Sequence, residues 1–238
     1  MTKNENRVSI EMRFLFIMKF DIITIFPDVF EPYFNESIIK RARAKKLVQI
    51  KIYNLRDYTN DKHRTVDDRP YGGGAGMVFM VAPILKAVKD IRSQASGKRS
   101  LASGRAKVVL LSAKGKKFDQ KMAKKFSKLD NLILISGRYE GVDERVAKYI
   151  ADEEISIGDY VLTGGELPAM IVVDAVVRLI PGVITEDSLK RESFFKEKYI
   201  EHPHYTRPEE IIINGKKRKV PKVLLSGDHK KIEEWRSR

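Results

Sequence analysis

Between Lys107 and Ile180 short aliphatic runs alternate with segments of helical period, and this alternation is the tightest constraint the chain sets on its own fold. Strands are expected over Lys107–Ser112 and Leu132–Ser136, and helices over Phe118–Leu129, Val142–Ile150 and Glu166–Ile180. Upstream, Lys19–Phe26 reads as a strand that Pro27 and Asp28 end, Glu36–Lys46 as a helix, Val48–Leu55 as a half-buried strand and Ile84–Ile91 as a helix. Alternation of this kind builds an α/β domain, a mainly parallel sheet with helices on both faces. Such sheets bind ligands in loops beyond the carboxyl ends of their strands. Three strand ends stand out: Leu110–Ser112, Ser136–Gly141, and the segment from Gly158 to Gly165.

The last of these sits in I-S-I-G-D-Y-V-L-T-G-G-E-L-P-A-M, from Ile155 to Met170. Tyr160, Val161 and Leu162 form an apolar, β-favouring run, expected as a short strand. Gly158 precedes it, Gly164 and Gly165 follow, and Glu166 and Pro168 then open a helix. Glycines so close together mark either backbone that must approach a ligand or two ordinary turns flanking a strand. Both readings stand on these residues alone.

Composition narrows the class of protein. A chain of 238 residues with 42% apolar content has ample material for a buried core. It contains no cysteine, which excludes disulfides, thiolate zinc sites and a cysteine nucleophile, and suits the cytoplasm. The first residues hold only a five-residue apolar run, Phe14–Met18, too short to span a membrane, so 1–17 reads as a loose extension and no membrane partner is expected. Lys and Arg outnumber Asp and Glu by 46 to 32, for a net charge of +14. From Pro83 to Asp130 there are fourteen Lys and Arg against three Asp, whereas Leu132 to Ile184 has four against nine acids. One reading of the basic block is a face for a polyanion such as nucleic acid; the other is a solvated lysine surface.

Two further segments are irregular. Arg56–Gly76 is a long polar loop ending in G-G-G-A-G, whose spacing fits neither nucleotide-binding glycine motif. Its glycines are expected to let the loop fold over a ligand, and His63 within it is expected to be solvated. Thr185–His202 is a charged linker candidate, followed by H-P-H-Y-T-R-P and a small basic appendage. The His-x-His pair lacks the cysteines or acidic cluster of a metal site.

Taken together, R-P-Y-G-G-G-A-G-M, L-S-A-K-G-K-K-F-D-Q, I-S-G-R-Y-E-G-V-D-E-R-V, the Ile155–Met170 stretch and H-P-H-Y-T-R-P closely resemble the bacterial tRNA (guanine-N1)-methyltransferases, in the same order from Met18 onward. The resemblance implies a SPOUT-class enzyme with a C-terminal trefoil knot in its methyltransferase domain, a small C-terminal helical domain and a homodimeric active site. Implied domains are 18–184 for methyl transfer, a linker over 185–202, and a basic tRNA-binding domain over 203–238. The family usually continues beyond V-L-L-S-G-D-H…W-R into further helices, and this chain stops at Arg238, which leaves open whether that last domain is whole.

By matching positions, S-adenosylmethionine contacts are implied at Leu110, Leu111, Ser112, Gly137, Ile157, Gly158, Asp159, Tyr160, Val161, Leu162, Gly164, Gly165 and Pro168. The acidic balance around them suits a cationic sulfonium. The implied reaction methylates N1 of the guanosine immediately 3′ of the anticodon in tRNA. Arg178 matches the family's arginine for charge on O6, and a carboxylate must take the N1 proton. Glu192, in R-E-S-F, matches that base by spacing; Asp187, in T-E-D-S, is the alternative. Magnesium is also implied, with Glu140 at the matching acidic position. Two other readings remain at this point: a non-enzymatic RNA-binding protein, and a SPOUT enzyme acting on ribosomal RNA.

Overall fold

The computed structural model describes residues 17–95, 105–196 and 199–237. All but the last residue of the expected extension 1–17, and the Gly97 to Gly104 connection, lie outside them. The described chain forms two compact units, the first ending at Glu186 and the second running from Asp187.

Five strands make the sheet of the first unit: β1 (Met18–Thr24), β2 (Val48–Asn54), β3 (Ala106–Lys117), β4 (Asn131–Ser136) and β5 (Glu153–Ser156). Their order is β2-β1-β4-β3-β5, and every pairing is parallel. N-L-I-L-I-S of β4 is buried at all six positions, the pattern of a strand covered on both faces. Strand β2 stands at an edge and alternates, as its V-Q-I-K-I-Y-N pattern predicts.

Alternation along β1 divides the core in two. Phe20 and Ile22 face a cluster that includes Ile39 and Ala42 of α1 (Ser37–Ala44). The same cluster takes in Met122, Ala123 and Phe126 of α3 (Gln120–Phe126) and the apolar helix α5 (Glu166–Val177). Ile23 and Ile25 face the other way, onto Ile84, Ala87, Val88 and Ile91 of α2 (Val81–Ala95) and Val146 of α4 (Glu144–Tyr149). Helices thus cover both faces, as the alternating pattern requires.

The sequence reading is corrected at one strand. Tyr160, Val161 and Leu162 form no strand; the fifth strand lies upstream, at Glu153–Ser156, and the three apolar residues stand in an exposed loop. Their apolar character is not used for sheet packing, since Val161 is 86% exposed. The long loop also holds more order than expected: Asp67–Asp68 pairs antiparallel with Val78–Phe79.

Helix α6 (Glu186–Arg191) starts at the last residue of the first unit, within the segment read as linker, and continues into the second unit. The unit is not purely helical. A hairpin of β6 (Glu210–Ile213) and β7 (Lys216–Lys219) precedes α7 (Lys222–Leu225) and α8 (His229–Arg236). Among the described residues no helix is long and apolar enough to cross a membrane.

Candidate functional site

Strands β4, β3 and β5 are neighbours, so their carboxyl ends deliver three sequence-distant loops to one place. There they enclose a cavity of about 410 Å³, within the usual range for small-molecule sites. Leu110, Leu111 and Ser112 come from β3, and Gly137 from the end of β4. Ile157, Tyr160, Val161, Leu162, Gly164, Gly165 and Pro168 follow β5. Gly158 and Asp159 do not line it: the Ser156 hydroxyl donates to the Gly158 carbonyl at 2.9 Å, and the Asp159 carboxylate is bonded to Lys117.

The loop after β5 returns over the end of β4. The Gly165 N–H donates to the Gly137 carbonyl at 2.9 Å. A β-carbon on Gly165 would lie 2.7 Å from Ser136 Cα and 3.0 Å from the Gly137 nitrogen, both backbone atoms that cannot swing aside. Here the cavity wall is backbone against backbone, and only glycine fits.

One buried carboxylate fixes this arrangement. Glu166, in the first turn of α5, is 3% exposed. It accepts from the Thr24 hydroxyl at 2.8 Å and from Arg138 Nε at 2.9 Å. Arg138 also stands 4.5 Å over the Phe26 ring. The end of β1, the loop after β4 and the start of α5 are therefore tied through one side chain. Reading the sequence placed Glu166 at a helix start but missed this role, because its partner Thr24 lies 142 residues away.

Glu140 also lines the cavity, beside Gly76 of the glycine-rich loop. Gly76 has φ +79°, and a β-carbon there would collide with the Glu140 side chain. The glycine-rich loop is thus brought to the cavity's edge, with the Glu140 N–H donating to the Met77 carbonyl at 3.0 Å. Among the described residues no group of three or more His, Asp or Glu is arranged to hold a metal ion.

The basic block and the acidic segment meet in a row of ion pairs. Arg92 pairs with Asp152, Lys107 and Lys125 with Glu153, Lys114 with Glu144, and Lys117 with Asp159. Five cations of the basic block thus meet four acids of the acidic segment, and the block keeps a cationic surplus. Burial pushes the Glu153 carboxyl up, yet Lys107 and Lys125 outweigh it and hold the group below its ordinary value. The Lys114 hydrogen bond holds Glu144 low as well.

Arg178 directly follows α5. Asp187 lies exposed in α6, and Glu192 follows α6, half-buried, its carbonyl accepting from the Phe195 N–H at 3.2 Å. Neither Arg178, Asp187 nor Glu192 lines the cavity.

Comparison with known proteins gives a consistent result. A family model described as tRNA (Guanine-1)-methyltransferase TrmD matches residues 18–238. The tRNA (guanine-N(1)-)-methyltransferase of Dictyoglomus turgidum is 53% identical over 220 residues, 92% of this chain and 84% of the relative. Those of Clostridioides difficile and Bacillus subtilis are 49% and 47% identical, over 92% and 93% of this chain and 90% and 86% of their own lengths.

Proposed function

The chain belongs to the tRNA (guanine-1)-methyltransferase family, and we propose on that footing that the cavity beyond β3, β4 and β5 holds S-adenosylmethionine. It is an enzyme that methylates guanine N1 in tRNA. We place the target at the guanosine immediately 3′ of the anticodon. The observation that carries the donor site is the meeting of all three loops in one cavity, walled by backbone at Gly165. Aliphatic residues (Leu110, Leu111, Ile157, Leu162) suit a purine and ribose, and loop backbone suits their polar edges.

When bound, the donor supplies a methyl group on a cationic sulfonium that departs as a neutral thioether. This chain's residues then have two tasks. Guanine N1 carries a weakly acidic proton, which the Glu192 carboxylate takes as the N1–carbon bond forms. Negative charge shifts toward O6, where the planar Arg178 guanidinium compensates it. Arg178 and Glu192 belong to different units.

Glu140 is the residue for a magnesium ion. As a single carboxylate it would leave most of the coordination shell to water and nucleotide, as magnesium commonly does.

We read the β5–α5 connection as the knotted segment of a SPOUT fold; its return over the end of β4 supports this. A homodimer is supported by α5, apolar on nearly every side, with Leu167 and Ile171 one turn apart and exposed. The unit from Asp187 on serves tRNA binding, and the cytoplasm is where such an enzyme meets tRNA.

Incubation with methyl-labelled S-adenosylmethionine and unfractionated tRNA, followed by mapping of the labelled base, tests the whole reading. Label is expected on N1 of the guanosine 3′ of the anticodon. Label on another base, or none, overturns it.

A further inference from the structure

The sequence I-I-I-N-G-K-K-R-K builds a ribbon whose two faces differ in charge. Asn214 and Gly215 have φ of 51° and 70°, the paired positive values of the tight turn that joins antiparallel strands through two residues. This sets Glu210 opposite Lys219, Ile211 opposite Arg218, Ile212 opposite Lys217 and Ile213 opposite Lys216. Side chains alternate along each strand. One face therefore carries Glu210, Ile212, Lys217 and Lys219; the other carries Ile211, Ile213, Lys216 and Arg218.

On the first face the cations are already satisfied. Lys217 and Lys219 reach the Glu210 carboxylate at 2.9 and 2.8 Å, and their hydrogen bonds hold that carboxyl below its ordinary value. On the second face no carboxylate among the described residues pairs with Lys216 or Arg218. Seven of the ribbon's eight strand residues are exposed, Glu210 alone being half-buried. A lone two-stranded ribbon is marginal by itself, and three consecutive exposed isoleucines are a liability unless something covers them.

We propose that the Ile211, Ile213, Lys216, Arg218 face is a docking strip for the sugar–phosphate backbone of the substrate tRNA. The inference rests on the tRNA reading above and adds the surface that grips it. Charge complementarity selects the partner: two cations that are paired with no carboxylate among the described residues fit a polyanion. Lys216 and Arg218 lie two residues apart on one strand, about 7 Å, far enough for each to take its own phosphate. The guanidinium fork of Arg218 suits two phosphate oxygens. Ile211 and Ile213, directly across the ribbon, lie against the apolar edges of the sugars.

The test compares two paired substitutions in the full chain, K216Q/R218Q and K217Q/K219Q, by tRNA binding over a salt series. For K216Q/R218Q the expected result is about ten-fold weaker tRNA binding, with a salt slope lower by about two. S-adenosylmethionine affinity should be unchanged. K217Q/K219Q should lose clearly less, with a salt slope lower by no more than about one, since Glu210 offsets one of those two charges. Equal losses in both variants, or none in either, would overturn the strip. So would a change of mass for K216Q/R218Q in light scattering, which would make the face a protein contact. If the unsubstituted chain binds no tRNA, the functional reading falls first and the strip with it.

Discussion

The close approach of Gly165 to Ser136 and Gly137 leaves no slack, because β4 is buried along its whole length and cannot shift to admit a methyl group. Gly165→Ala must therefore move the start of α5. We expect a stability loss of about 1–3 kcal/mol, the usual cost of overpacking, together with loss of calorimetric S-adenosylmethionine binding. Donor affinity at the level of the unsubstituted chain would remove Gly165 from the site. For the general base, Glu192→Gln should slow single-turnover methylation by roughly 10²–10⁴ with donor affinity intact, while Asp187→Asn stays within a few-fold. The opposite pattern would move the base to Asp187. Asp21 offers a pH signature. Burial holds its carboxyl above the ordinary range, even though Asn131 and Tyr53 hydrogen-bond it and Lys51 lies near. The folded chain then keeps a proton that the unfolded chain has lost, so stability falls as pH rises from about 4 through the raised value. Asp21→Asn removes that slope, and denaturation midpoints for both proteins across this window should diverge accordingly. Parallel profiles would mean Asp21 is not titrating there.

At the scale of elements, β1, β2 and β4 were readable to within a few residues, because their apolar runs come from sheet packing. Tyr160–Leu162 misleads for a related reason. An apolar run serves a ligand cavity as well as a sheet, and local sequence carries no mark of which. The glycines around it left close approach and ordinary turns both open, and their partner, the end of β4, had no local mark at all. Likewise Glu166 reads as a helix-start acid, whereas Thr24 and Arg138 make it the tie between β1, β4 and α5. Glu166→Gln keeps the shape and one hydrogen bond but loses the charge that Arg138 meets. It should cost about 1.5–3 kcal/mol in chemical denaturation. No measurable change would mean that the buried pair's attraction only offsets the cost of its desolvation.

For the whole molecule, light scattering at micromolar concentration should report twice the chain mass, with Leu167→Lys and Ile171→Lys together shifting it toward the single chain. An active monomer would end the dimer proposal. One consequence of the Thr24–Glu166 bond concerns time rather than shape. Its two ends are 142 residues apart, and contacts so distant along a chain slow folding because a large loop must close before they form. During synthesis β1 and β2 emerge early, but neither the wall at Gly165 nor its anchor exists until the chain has passed α5. The cavity we assign to the donor is thus among the last parts of the first unit to be completed, and substitutions at Thr24 or Glu166 should lengthen the interval in which a nascent chain has a sheet but no closed cavity.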